Sequence, residues 1–227
     1  FMSKKNKTNK FKTAKDFPLR ERKSAKTKLR LAEEFMERMK TERFSNISIK
    51  EVCEKVEVSE GTFYNYYPHK THLVNFFNKF TVLRVLWAVE KASFKNDLEI
   101  IEYAFDCIAD NLKEPALFYE IISLYASEGI KPDTGGDMAE VEKILGLPEC
   151  PGIENVRFIA LEDFFTCHVS NGQKNNLITK KIAVDKIVLS LMSTLIGLPL
   201  AIDINDFGQL KTRYKNQLSM LWNGLAS

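Results

Sequence analysis

Ser48-Ile49-Lys50-Glu51-Val52-Cys53-Glu54-Lys55-Val56-Glu57-Val58-Ser59-Glu60-Gly61-Thr62-Phe63-Tyr64-Asn65-Tyr66-Tyr67-Pro68 encodes two short helices joined by a turn. Ser48 and Glu51 match a capping box: the hydroxyl accepts from the backbone N–H three residues on, and the carboxylate reaches back to the Ser48 N–H. Ile49, Val52, Cys53 and Val56 then share one face of a helix that ends near Val56. Glu57-Val58 leaves room only for a tight turn. Ser59 is a second N-cap, and Pro68 stops the helix it starts. That helix spans Glu60 to Tyr67, about two turns and roughly 12 Å.

The second helix divides into two faces. Phe63 and Tyr67, four apart, turn to a core together. Thr62, Asn65 and Tyr66 lie on another face, with Gly61 and Tyr64 beside it. Hydroxyls and amides suit phosphate oxygens and base edges. Gly61 lets a nucleic-acid backbone approach closely, and a helix N-terminus attracts phosphate. An ordinary capped hairpin inside a bundle leaves unexplained why so short a helix gathers Thr, Tyr, Asn and Tyr. A two-helix unit of this form is a helix-turn-helix signature.

Upstream, Leu29, Ala32, Phe35, Met36 and Met39 recur at three- and four-residue steps, predicting a helix from Ser24 to near Thr41. Residues 1–23 are Lys- and Asn-rich without apolar periodicity and read as a flexible basic tail. Residues 1–30 hold twelve Lys/Arg against Asp16 and Glu21, net +10, which leaves −7 on the remainder. A basic end on an acidic body suggests a polyanion partner; a solubilising tail has the same composition. Downstream, helical patterns run over 69–93, 96–113, 115–129, 137–146, 153–172, 180–202 and 206–225, separated by Pro and Gly breakers. No strand alternation stands out, so the fold class is all-α.

At 227 residues the chain is long enough to bury a core without staples. Cys53, Cys107, Cys150 and Cys167 form no CxxC pair and read as reduced thiols, with Cys150, between Pro148 and Pro151, the one expected to be exposed. With three His in the chain, repeated metal-ligand pairs are missing and no metal or cofactor is expected. The longest uncharged stretch, Ile187 to Ile202, falls short of a bilayer span. No apolar segment follows the basic start, so neither a signal peptide nor membrane residence is expected.

The string Phe44-…-Ser48-Ile49-…-Val52-Cys53-…-Val56-Glu57-Val58-Ser59-Glu60-Gly61-Thr62-Phe63-Tyr64-…-Tyr66-Tyr67-…-Lys70-…-Leu73 resembles the N-terminal domain of the tetracycline-repressor (TetR) family of transcriptional regulators. Residues 24–75 carry the likeness. The resemblance implies a three-helix DNA-binding domain over 24–70 and a larger helical effector-binding and dimerisation domain over 71–227. Two positions depart from the family pattern, which usually has Gly where this chain has Arg43 and Glu57. A left-handed Glu57 costs about 1 kcal/mol relative to Gly.

By position, the resemblance implies phosphate contacts from Thr62, Tyr64, Tyr66 and Lys70, with Ser48 and Ser59 at the two caps and Lys26, Lys28 and Arg30 adding charge. Gly61, Asn65 and Glu60 approach base edges. Glu60 suits either a cytosine amino group or the dipole of its own helix. The tail is a candidate minor-groove arm. The resemblance also implies a cytoplasmic homodimer on a palindromic double-stranded operator. The near-continuous apolar segment 182–202 and the last helix supply its interface: Leu189, Met192, Ser193, Ile196, Gly197, Leu200, Leu218, Leu221 and Trp222. An effector pocket is expected among Trp87, Phe105, Phe118, Ile122, Tyr125, Phe158, Phe165 and His168, which suit a small apolar or aromatic molecule. Most of these are equally at home in a core.

No GxSxG, HExxH or phosphate-binding glycine loop occurs, so catalysis is not expected. The rival reading is a helical protein-interaction module whose basic tail binds polyanions without sequence preference. It accounts for the apolar faces but not for the polar and aromatic two-turn helix.

Overall fold

Pro18 and Pro68 set the limits of the N-terminal domain. The computed structural model describes residues 11–112, 114–127 and 136–226. Pro18 precedes α1 (Leu19–Arg38), which buries Ala25, Leu29, Leu31, Ala32, Phe35 and Met36 along one stripe. The helix begins before Ser24, the start expected from its apolar periodicity, because Pro18 fixes the entry to a first turn that carries Glu21. A further correction concerns the tail. Its first ten residues lie outside the described part, but residues 11–18 are folded onto the rest of the chain. Ala14–Asp16 forms a 3-10 turn, closed by the Thr13 backbone N–H donating to Asp16 Oδ2 at 2.7 Å.

Two short helices follow: α2 (Ile49–Val56) and α3 (Glu60–Tyr66). Glu57 between them is left-handed, φ 62° and ψ 45°, and its N–H closes the end of α2. The turn therefore keeps the geometry a glycine favours although the residue has a side chain. Val52, Val56, Phe63, Leu73 and Phe35 form one small core, which Leu124 of α6 (Pro115–Ser127) joins from outside.

The long α4 (Lys70–Lys91) leaves this domain and enters the second. There it packs with α5 (Asp97–Asn111), α6, α7 (Glu140–Gly146), α8 (Leu161–Lys174), α9 (Val184–Ala201) and α10 (Leu210–Gly224). The described residues contain ten α-helices and no strand. The second core centres on Phe105, which stacks on Phe165 at 5.5 Å and meets Tyr214 edge-on at 5.0 Å. A Cβ on Gly146 would lie 2.3 Å from Phe80 Cε1, so the Phe80 ring of α4 packs on the end of α7 where glycine leaves room.

Three local expectations are corrected. The predicted 153–172 helix is split into a 3-10 turn, Ile153–Asn155, and α8. The connection is held open by Val156 and Phe158, whose backbone groups bond to Lys143 Nζ and Asp137 Oδ1. The predicted 206–225 helix likewise opens on a 3-10 segment, Ile204–Gln209. Cys150 is buried, 2% exposed, and it is Cys167 that is exposed. The Cys150 loop is folded onto α4 by Arg84 bonds to Glu149 Oε1 and by the Trp87 indole donating to the Pro151 carbonyl at 3.0 Å.

α9 is long and apolar enough, by length and composition, to cross a membrane. Here one face of it, Ile187, Val188, Leu191, Leu195 and Pro199, packs into the core while Leu189, Ile196 and Leu200 stay exposed. The Tyr214 hydroxyl donates to the Leu195 carbonyl at 2.7 Å, and Tyr119 to Pro199 at 3.1 Å.

Glu57→Gly should raise unfolding stability in urea by about 0.5–1 kcal/mol, by relieving the left-handed strain. An equal or lower stability would show that the turn stores none.

Candidate nucleic-acid interface

α3 is positioned by its two buried aromatics. Phe63 has no exposure and Tyr67 is 2% exposed. The Tyr67 hydroxyl donates to the Lys28 carbonyl of α1 at 3.0 Å. Its ring lies 5.7 Å from Phe63 and 5.6 Å from Phe76 of α4. Burial pushes the Tyr67 phenol far above its ordinary pKa, so it stays a neutral donor. At the other end, Ser59 Oγ accepts from Thr62 N at 3.1 Å and lies 2.9 Å from Thr62 Oγ1.

Ser48 caps α2 through the Glu51 N–H at 3.4 Å, but the reciprocal half of the expected box is not made. The Glu51 carboxylate goes instead to Arg38 Nη1 at 2.7 Å, a charge-assisted bond stronger than one to a backbone amide.

With α3 anchored from behind, Glu60, Gly61, Tyr64 and Asn65 are exposed, Tyr64 by 50%, and Thr62 and Tyr66 partly so. The structure thus brings these six predicted residues to one surface. A Cβ on Gly61 would meet only Ser59 Oγ, at 3.7 Å. The fold itself tolerates a side chain there, so the missing one leaves space toward the outside.

The sequence reading missed five neighbours of this helix. Leu19, Arg20, Lys23, Ser24 and Thr27 of α1 face Thr62, Asn65 and Tyr66 across an open groove of about 660 Å³. Its lining holds two cations, three hydroxyls and an amide besides Leu19 and Tyr66, and no carboxylate. That inventory suits a phosphate backbone. Leu19, Arg20 and Lys23 were overlooked because helix 1 was expected to begin at Ser24, and Ser24 and Thr27 because they lie off its apolar stripe. Pro18 with Glu21 three residues on was the available signal.

Two expected phosphate contacts are corrected. Lys28 turns away from the groove, and its ammonium lies 2.6 Å from Glu142 of α7. Lys70 donates to the Ile47 carbonyl at 2.5 Å, 5.8 Å from the Phe44 ring centre, and desolvation lowers its pKa. It braces the connector before α2 rather than reaching outward. Lys26 and Arg30 remain exposed on α1. The tail is corrected too where it is described. Phe11 lies against Gly152 and under the Lys91 ammonium, 5.4 Å from its ring centre. Lys91 ends α4, about 30 Å along that helix from Lys70. Residues 11–18 therefore run along the second domain, not beside α3.

Most of the expected effector residues are engaged by partners among the described residues. Phe105 and Phe165 are fully buried core. Trp87 is bonded to the Pro151 carbonyl. Tyr125 donates to Asn75 and accepts from Asn78, and His168 Nδ1 lies 2.8 Å from Asp97 Oδ1. Phe118 packs against Phe207, and Phe158 lies below Lys79. Ile122 is half-buried on α6. Of the expected interface residues, Leu189, Ile196 and Leu200 are exposed by 67, 37 and 50%. Ser193 is exposed, and Met192, Gly197, Leu221 and Trp222 are partly so. Leu218 is a correction: it is 1% exposed, inside its own protomer's core. Met220, 68% exposed on the same helix, was missed.

No protein-family model and no curated protein sequence matches the chain. Solved structures do. GusR of Salmonella enterica superposes at TM-score 0.59 and 14% identity, over 88% of this chain and 95% of that one. A bacterial regulatory protein in the tetR family from Rhodococcus RHA1 matches at 0.56 and 14%, over 88% and 97%. A TetR transcriptional regulator from Chloroflexus aurantiacus matches at 0.54 and 14%, over 89% and 95%. The chain therefore has the fold of these regulators across both of its domains.

Gly61→Ala separates folding from binding. The variant should be as stable as the parent or up to about 1 kcal/mol more so, yet bind duplex DNA more weakly. Unchanged affinity in a titration of labelled duplex would show that the helix start does not approach DNA.

Proposed function

We propose that this chain is a transcriptional regulator of the tetracycline-repressor type. It binds a palindromic operator as a homodimer in the cytoplasm and acts as a repressor rather than an activator. It works by binding and not by catalysis. One observation carries the reading: an anchored two-turn helix presents Thr62, Asn65 and Tyr66 across a groove from Arg20 and Lys23. The helix N-terminus and Gly61 stand where a backbone phosphate would come closest.

The fold likeness supports the same reading at the level of architecture. Dimerisation is supported by the apolar stripe Leu189, Ile196 and Leu200 on α9, with Met220 on α10. A two-fold axis through this stripe gives two recognition helices, which a palindrome requires. An effector acts, in this account, by favouring a dimer geometry whose recognition helices no longer match successive major grooves.

The test is selection of bound duplexes from a random pool at near-physiological salt. An enriched palindrome with half-sites about 10 base pairs apart, or a multiple of that, is the expected result. Recovery of general, salt-sensitive binding with no motif would overturn the proposal in favour of an interaction module that holds polyanions through its basic residues.

A further inference from the structure

α7 has seven residues, too few to hold a helix by itself, and it is fastened from two sides. One side belongs to the second domain. The buried Lys143 ammonium lies 2.8 Å from Asp137 Oδ1 and donates to the Val156 carbonyl at 2.7 Å. Asp137 also accepts from the Met138 and Phe158 N–H groups. Although desolvation opposes it, these partners hold Asp137 below the usual carboxylate range. Val156 and Phe158 join the core that contains Phe105. α7 is thus tied to the segment that leads from that core into α8.

The other side belongs to the N-terminal domain. Glu142, on the next residue back from Lys143, lies 2.6 Å from the Lys28 ammonium of α1. The Lys28 carbonyl accepts from the hydroxyl of Tyr67, the residue that closes α3. Lys28 therefore holds α7 by its side chain and the end of α3 by its backbone. Burial first, and then the charge of Glu142, push the Tyr67 phenol up, so the two groups lie within reach of each other's field. A cleft of about 220 Å³ beside them is walled by Tyr66, Tyr67 and Phe76 on one side and by Met138 and Glu142 on the other.

The pair at the centre of this chain is mostly buried, and each charge is compensated by the other. Opening it exposes both to water or leaves both uncompensated, so the link is either made or broken rather than graded. The remaining connections between the domains, α4 itself and the contacts of α6 with Phe44 and the smaller core, do not pass through α7.

We propose that α7 is the coupling element between the second core and α3. A change in that core which moves Val156 and Phe158 shifts α7 through Lys143 and Asp137, opens or closes the Lys28–Glu142 pair, and so alters how firmly Tyr67 holds α3. The coupling itself stands without the DNA-binding reading; that it regulates DNA affinity rests on that reading.

Amide hydrogen exchange of the free full-length chain is the test. Asp137→Asn loosens α7 at a residue whose bonds all lie within the second domain among the described residues. It should speed exchange at least about threefold in both α7 and residues 60–67, with α10 unchanged. Glu142→Gln, which cuts the link directly, should speed 60–67 by a similar factor. The double variant should exchange there no faster than Glu142→Gln alone, because both substitutions act through one pair. If Asp137→Asn fails to fold, Lys143→Met breaks the same fastening and takes its place. Acceleration confined to residues 136–160 would overturn the proposal. So would additive effects in the double variant, or a uniform acceleration that includes α10. No DNA is present, so a failed duplex selection and a failed exchange experiment remain distinguishable.

Discussion

The buried Tyr67 side chain ties three helices into one unit, and the outward face of α3 depends on it. Its hydroxyl is bonded to the α1 backbone at Lys28, and its ring sits between Phe63 of α3 and Phe76 of α4. A helix of seven residues is too short to be stable alone. It exists because Phe63 and Tyr67 are taken into the core while Ser59 satisfies its first amides. The same anchoring fixes which way Thr62, Tyr64, Asn65 and Tyr66 point. An unbonded Tyr67 hydroxyl at this depth would cost about 1–3 kcal/mol, so the bond to Lys28 also fixes the depth at which α1 sits beside α3.

From that unit, three connections lead into the second domain. α4 is continuous through both cores. The Phe44 N–H donates to Glu120 of α6 at 2.7 Å, and Leu124 enters the smaller core. On the far side, Lys28 meets Glu142, while the Lys12 N–H and ammonium reach Glu154 and Glu140. Lys12 and Glu140 are exposed, and such a pair is worth little by itself. Lys28 and Glu142 are mostly buried, so breaking that pair from one side leaves a charge without its partner. The basic surplus at the start of the chain is thus partly spent inside the molecule, on the acidic face of α7.

The all-α class, the helix-turn-helix and the outward face of α3 were legible in the sequence, because each rests on local signals: hydroxyl caps, a proline stop and apolar spacing. The left-handed Glu57 was legible as a position where the backbone needs what glycine gives. Side-chain partners were not. Lys28 and Lys70 look like phosphate ligands by position, yet Glu142 and the Ile47 carbonyl, distant in sequence, claim them. Aromatics scattered along four helices look like a pocket, but periodicity cannot tell lining from packing, and Phe105 and Phe165 are packing. Leu218 failed for the same reason, since both faces of the last helix carry apolar residues. The start of α1 was misplaced because Arg20 and Lys23 lie in a charged run without apolar rhythm, where Pro18 and Glu21 are the markers.

The most direct measurement of the central claim, that α3 and the first turns of α1 together form the DNA-binding surface, is amide hydrogen exchange with and without a bound duplex. The account predicts slowed exchange in residues 19–27 and 59–67 on binding, with α9 and α10 unchanged. Protection confined to other segments, with 59–67 exchanging as in the free protein, would contradict it.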